Sequence, residues 1–198
     1  MEKIKVAELF YSIQGEGRYM GVPSVFLRTF GCNFKCEGFG MPKGQCSTEA
    51  DKIAERVDEF KFYHELPLTT TGCDSYASWH PAFKDLSPVL TSDAIADRIM
   101  EILPFNEWRD EHLVITGGEP LLQVNSPLID ELKKLGFEIA VETNGTILVP
   151  KGIDWICVSP KSGAPWLQRS GDELKLVYPQ NNLTPKDLGT TNFRHYLL

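Results

Sequence analysis

Four short polar or glycine-bearing motifs sit at the downstream ends of apolar, strand-like runs, and this recurrence constrains the fold more than any other feature. Val25-Phe26-Leu27-Arg28-Thr29-Phe30 is rich in β-branched and aromatic residues and ends at Gly31-Cys32. His112-Leu113-Val114-Ile115-Thr116 runs into Gly117-Gly118-Glu119-Pro120. Strands expected at 138–142 and 155–158 run into Glu142-Thr143-Asn144-Gly145 and Ser159-Pro160-Lys161, and a further strand is expected at 174–177. An earlier strand, around Val6, Leu9 and Phe10, leads into the turn Gln14-Gly15-Glu16-Gly17. Between strands, helical periodicity follows Thr91-Ser92-Asp93 (Ile95, Ile99, Ile102) and Pro120 (Leu121, Val124, Leu128, Leu132, Leu135). A third helix is expected from Thr48, capped by Thr48 with Asp51, carrying Ile53, Val57 and Phe60 and ending at Leu66-Pro67. Strand, helix and strand joined by short turns imply an α/β fold with a mostly parallel sheet. Ligands of such sheets gather at the carboxyl ends of the strands, which is where these motifs lie.

The cysteines sharpen the chemistry. Cys32-Asn33-Phe34-Lys35-Cys36 is a C-x3-C pair in a glycine-rich stretch, and Cys46 and Cys73 follow. The N-terminus, Met1-Glu2-Lys3-Ile4-Lys5, lacks the apolar stretch of a signal peptide, and no run is long enough to span a bilayer. We therefore expect a cytoplasmic protein, where clustered thiols serve metals or catalysis more often than disulfides. A net charge of −7 argues against non-specific binding to nucleic acid, which needs a surplus of Lys and Arg on one face. Taken alone, C-x3-C fits two buried thiols, a zinc half-site completed by Cys46 and Cys73, or a cluster with either Cys46 or Cys73 as third ligand. Cys157 sits in an apolar strand-like run, where burial is the default.

Taken together and in order, the motifs resemble the 7-carboxy-7-deazaguanine synthases of the radical S-adenosylmethionine superfamily. The resemblance begins with Phe10-Tyr11-Ser12-Ile13-Gln14-Gly15-Glu16-Gly17 and Gly21-Val22-Pro23, and continues with Phe26-Leu27-Arg28 and Gly31-Cys32-Asn33. It then runs through the strand-end motifs to Glu173-Leu174-Lys175 and Phe193-Arg194-His195-Tyr196. Cys73-Asp74-Ser75 with Trp79 after it is similar to the segment that closes the family's cluster loop, so the resemblance selects Cys73 over Cys46. It implies one domain, 1–198: a partial (βα) barrel of the radical S-adenosylmethionine type, with a helical insertion, 37–72, inside the cluster loop. Closure of so long a loop remains cheap, because its entropy cost grows only slowly with length.

The same resemblance implies the roles. Cys32, Cys36 and Cys73 would hold a 4Fe–4S cluster, leaving one iron open to the amino and carboxylate groups of S-adenosylmethionine. Gly117, Gly118, Glu119, Asn144, Ser159 and Lys161 would bind that cofactor, and Ser75 would ligate Mg2+ in place of the family's threonine. Gln14 and Glu16 would hydrogen-bond the polar edge of a pterin, and Arg28 would pair with its carboxylate. The implied reaction converts 6-carboxy-5,6,7,8-tetrahydropterin to 7-carboxy-7-deazaguanine with loss of ammonia, by hydrogen abstraction at C6 and ring contraction. A flavodoxin- or ferredoxin-type reductant and a homodimer are implied partners; nucleic acid and membrane are not. Two other classes share part of the pattern: a small activase of a glycyl-radical enzyme, and a zinc-stabilised module without catalysis. The chain departs from the family at Phe39, where a third cluster cysteine commonly stands, at Gly72, where an aromatic residue is common, and at Leu198, where related proteins continue.

Overall fold

A computed structural model describes residues 3–36, 46–104 and 111–198. Part of the expected insertion, 37–45 with Phe39, lies outside the described residues. The chain opens with β1 (Lys3–Ile13), which pairs antiparallel with β2 (Pro23–Thr29) and, through its first residues, with β3 (Val89–Thr91). From β2 onward the pairing is parallel: β4 (His112–Gly117), β5 (Glu138–Thr143), β6 (Trp155–Val158), β7 (Ser170–Lys175) and β8 (Asn192–Leu197). The order across the sheet is β3-β1-β2-β4-β5-β6-β7-β8. The mostly parallel α/β architecture is the expected one.

Alternation sorts each central strand into two faces. Val25, Leu27, Leu113, Ile115 and Ile139 join Ile95 and Ile99 of α2 (Ser92–Ile102) and Leu128, Ile129 and Leu132 of α3 (Ser126–Lys134) in the main core. Most of these side chains are fully buried, and each contributes roughly 1.5–3 kcal/mol of transfer free energy. The opposite face carries Phe26, Val114 and Ala140 with Phe10 and Trp155, a smaller apolar floor beneath polar side chains. A polar cleft opens on that second face.

Four local expectations need correction. Ser47, not Thr48, caps the insertion helix: its side chain accepts from the Ala50 backbone N–H at 3.1 Å. That helix, α1 (Thr48–Ala54), is short, and Val57 and Phe60 lie in 3-10 turns beyond it rather than on one continuous helix. The helix expected after Pro120 breaks into a 3-10 turn (Pro120–Leu122) and α3, because Asn125 caps a new start by accepting from Leu128 N. The strand expected at 174–177 runs from Ser170 to Lys175, and β3 and β8 are strands the periodicity did not single out. The described part of the insertion builds its own apolar cluster with the segment after Cys73: Ala50, Tyr76, Ala77 and Phe83, flanked by Ile53, Val57, Tyr63, Leu66 and Trp79.

Candidate active site

The long loop returns to its origin. The Gly31 backbone N–H, next to Cys32, donates to the carbonyl of Ser78 at 2.6 Å, five residues beyond Cys73. On its other side the Gly31 carbonyl accepts from the Glu119 backbone N–H at 2.8 Å. Gly31 therefore ties the cluster strand end to both the Cys73 segment and the Gly-Gly-Glu-Pro turn.

Cys32, Cys36 and Cys73 are each half-buried and free of disulfides. Burial raises all three thiol pKa values, Cys36 to about 11, and each thiol has Lys161 as a cationic neighbour that pulls the other way. Cys73 interacts electrostatically with both of the others. Three half-buried thiols, each under the influence of the Lys161 charge, are a donor set of the chemical kind that an iron–sulfur cluster takes. Lys161 is itself pushed below the ordinary lysine range, first by burial, and its Nζ donates to Ser159 Oγ at 2.6 Å. Around Cys73, the Trp79 indole and the Ser75 backbone N–H both favour the thiolate. The residues present fit a three-cysteine cluster with a counter-charge beside it.

Cys46 behaves differently. Its thiol, Asp51 and His80 have ligand atoms within 4.8 Å of one another. His80 Nδ1 accepts from Ala82 N at 3.2 Å, which places the ring proton on Nε2, 3.8 Å from Asp51 Oδ1. At 3.8 Å the ring and the carboxylate are not hydrogen-bonded, and His80 lies beyond the 37–72 segment that carries Cys46 and Asp51. Cys157 is buried on β6, and its thiol donates to Glu173 Oε1 at 3.5 Å.

The cofactor-side motifs are knitted together by one buried carboxylate. Glu119 is fully buried; Oε1 accepts from Leu121 N (3.1 Å) and Thr143 Oγ1 (2.7 Å), and Oε2 from Asn144 N (2.8 Å). Burial raises its pKa despite these donors. Asn144 Nδ2 in turn donates to Asn33 Oδ1 at 3.1 Å, and Asn33 Nδ2 to Thr146 Oγ1 at 2.7 Å. Asn33, the first of the three residues between Cys32 and Cys36, is thus bonded to the turn that follows β5. Ser159 N reaches the Thr143 carbonyl at 2.8 Å. Asn33, Thr143 and Thr146 were not candidates from the sequence; short polar residues in turns give no signal until the turns meet.

The two glycines before Glu119 permit this contact. A Cβ on Gly118 would lie 2.5 Å from the Gly31 carbonyl oxygen and 2.8 Å from Cys32 Cβ. At Gly117 (φ +150°) it would lie 2.4 Å from the Thr29 carbonyl oxygen. Backbone cannot step aside as a side chain can. Gly118→Ala is therefore expected to force the cluster strand end away from the turn, costing about 1–3 kcal/mol of stability and most of the bound iron. Iron and sulfide analysis after anaerobic reconstitution checks it; full iron content would contradict the close-approach role.

On the face of Phe26 and Val114 a small polar cleft, partly open to solvent, is lined by Gln14, Glu16, His112, Glu142, Trp155 and Glu173, among others. Gln14 is buried and donates to Glu142 Oε1 at 3.3 Å; Glu16 is exposed and pairs with Lys175 Nζ at 2.9 Å. Lys175 also reaches Glu142 at 3.0 Å, and these carboxylates hold its pKa up against the opposing effect of burial. Arg28 lies 3.4 Å (Nε) from Glu8 Oε2. Ser75 Oγ donates to Asp74 Oδ1 at 3.2 Å. Glu142, Glu173 and Lys175 belong to motifs read from the sequence but were not assigned a role there.

No protein-family model matches the chain. Curated relatives do. A 7-carboxy-7-deazaguanine synthase of Burkholderia multivorans is 37% identical over 193 residues, covering 98% of this chain and 80% of the relative. Another, of Bradyrhizobium diazoefficiens, is 40% identical over 193 residues with the same coverage. Among solved structures, QueE from Escherichia coli matches with a TM-score of 0.56 and 28% identity, over 88% of this chain and 71% of that one. Identity of 37–40% over 98% of the chain places it in the 7-carboxy-7-deazaguanine synthase family of radical S-adenosylmethionine enzymes.

Proposed function

We propose that this protein converts 6-carboxy-5,6,7,8-tetrahydropterin to 7-carboxy-7-deazaguanine with loss of ammonia. The observation that carries this reading is the return of the Cys73 segment to Gly31, next to Cys32, at the carboxyl edge of a sheet that also bears a polar cleft. Cys32, Cys36 and Cys73 would hold the 4Fe–4S cluster. When bound, the cluster and S-adenosylmethionine supply a radical able to take a hydrogen from the pterin C6.

The chain's own residues hold and orient. Gly117 and Gly118 allow the backbone of the turn to lie close to a ligand on the cluster's open side. Glu119, buried and committed to three internal donors, would hold the Thr143–Asn144 turn in place beside the cofactor. Asn144, Ser159 and Lys161 would face its ribose or adenine, with Lys161 also balancing the negative charge of a thiolate-bound cluster. Gln14 and Glu16, held against Glu142 and Lys175, form one polar end of the cleft suited to the donors and acceptors of a pterin edge. Arg28, which among the described residues has no hydrogen bond to either Nη, keeps that fork for a carboxylate. Ser75, beside Asp74, supplies hard oxygen for Mg2+. A flavodoxin- or ferredoxin-type protein would deliver the electron, and a homodimer is the expected assembly.

Anaerobic reconstitution followed by turnover with the pterin, S-adenosylmethionine and a reductant tests the reading. A deazapurine carboxylate is expected; its absence from protein with full iron and sulfide would reject the assignment.

A further inference from the structure

Arg28 is flanked by two side chains, one from the sheet and one from outside it. One is Glu8, its cross-strand partner on β1. The other is Tyr63, from the insertion, whose ring centre lies 5.8 Å from the guanidinium carbon. Arg28 keeps a side-chain exposure of 22%, and its Nε is buried without a hydrogen bond. The pair with Glu8 is therefore loose, and the guanidinium needs another constraint to hold one orientation.

Tyr63 is well placed to give it. The Tyr63 hydroxyl lies 3.0 Å from Ser78 Oγ, and the fully buried Ser78 is the residue whose carbonyl accepts from Gly31 beside Cys32. Tyr63 also packs with the apolar cluster of Ala50, Tyr76 and Phe83. Its short 3-10 turn, Tyr63–Glu65, is stiffened where the Glu65 carboxylate accepts from Lys61 N and Phe62 N at 2.6 and 3.1 Å. The ring is thus fixed at one end to the cluster loop's return and at its face to Arg28.

We propose that Tyr63 is a positioning residue: it holds the Arg28 guanidinium for a carboxylate on the substrate, making the insertion one wall of the substrate site. The inference rests on the pterin reading above. It gives the insertion a task, namely preference for a carboxylated ring over the same ring without the carboxylate. The ring acts through Arg28 and needs no contact with the reacting atoms.

Fluorescence titration of the anaerobically reconstituted protein with 6-carboxypterin and with unsubstituted pterin tests it, since neither turns over. Tyr63→Leu is expected to weaken 6-carboxypterin binding about five- to tenfold and leave pterin unchanged. Tyr63→Phe, which keeps the ring, is expected to stay close to wild type. Should Y63L lose iron, Tyr63→Met fills the volume without a π face and takes its place. Equal weakening of both ligands, or no weakening of either, would overturn the proposal, as would a Y63F defect matching that of Y63L. If the wild-type protein binds neither ligand, the pterin reading falls and this inference with it. If wild type prefers the carboxylated ring and Y63L keeps that preference, only the role of Tyr63 falls.

Discussion

Cys73→Ala protein, reconstituted without oxygen, will lack the brown, oxygen-sensitive chromophore and all turnover, while Cys46→Ala will keep both. The contrast follows from what surrounds each thiol. Cys73 shares the Lys161 ammonium with Cys32 and Cys36, and receives hydrogen bonds from the Trp79 indole and the Ser75 backbone. Donors aimed at a sulfur favour its thiolate, the form that binds iron. Cys46 has Lys35 as its cation, and Asp51 works against its ionisation. Three thiolates on four irons leave no redundancy, so loss of one is expected to be a loss of the cluster rather than a graded weakening. Absorbance together with iron and sulfide per chain reads the outcome. A brown Cys73→Ala and a colourless Cys46→Ala would move the third ligand to Cys46 and undo the site as described.

Glu119→Ala is expected to produce the largest loss of stability among non-cysteine changes at the site. The carboxylate is fully buried, and its removal strands the Leu121 and Asn144 backbone N–H groups and the Thr143 hydroxyl away from water. Unsatisfied buried donors cost roughly 1–3 kcal/mol each and do not add fully, so about 3 kcal/mol or more is expected. For a chain of this size that lowers the thermal midpoint by roughly 6–12 °C. Glu119→Gln is no substitute, because both oxygens accept from donors and an amide NH2 must then face one of them. Scanning calorimetry of both variants checks this. A midpoint within a degree or two of wild type for E119A would mean that the buried network is not holding the Thr143–Asn144 turn against the cluster loop.

The parallel sheet was readable because its signals are local. The apolar run His112–Thr116 and the Gly-Gly-Glu-Pro turn after it each follow from neighbouring residues, as does the expectation that ligands gather at such strand ends. Helix ends were less readable. Asn125 restarts a helix that the leucine spacing runs straight through, and Ser47 takes the cap that Thr48 offers equally well on paper. In each case two adjacent residues have similar propensities, and a single capping hydrogen bond decides between them.

The site divides along the same line. The order of motifs along the chain and the C-x3-C pair are properties of sequence, and they determine the family and the kind of chemistry. That the Cys73 segment returns to Gly31, that Glu119 is buried under Thr143 and Asn144, and that the Arg28 guanidinium lies over the Tyr63 ring were decided by the tertiary structure alone. Each of those contacts joins residues far apart in the chain. Their meeting depends on how strands pair and loops pack, a free-energy minimum of the whole fold that no local stretch of residues encodes.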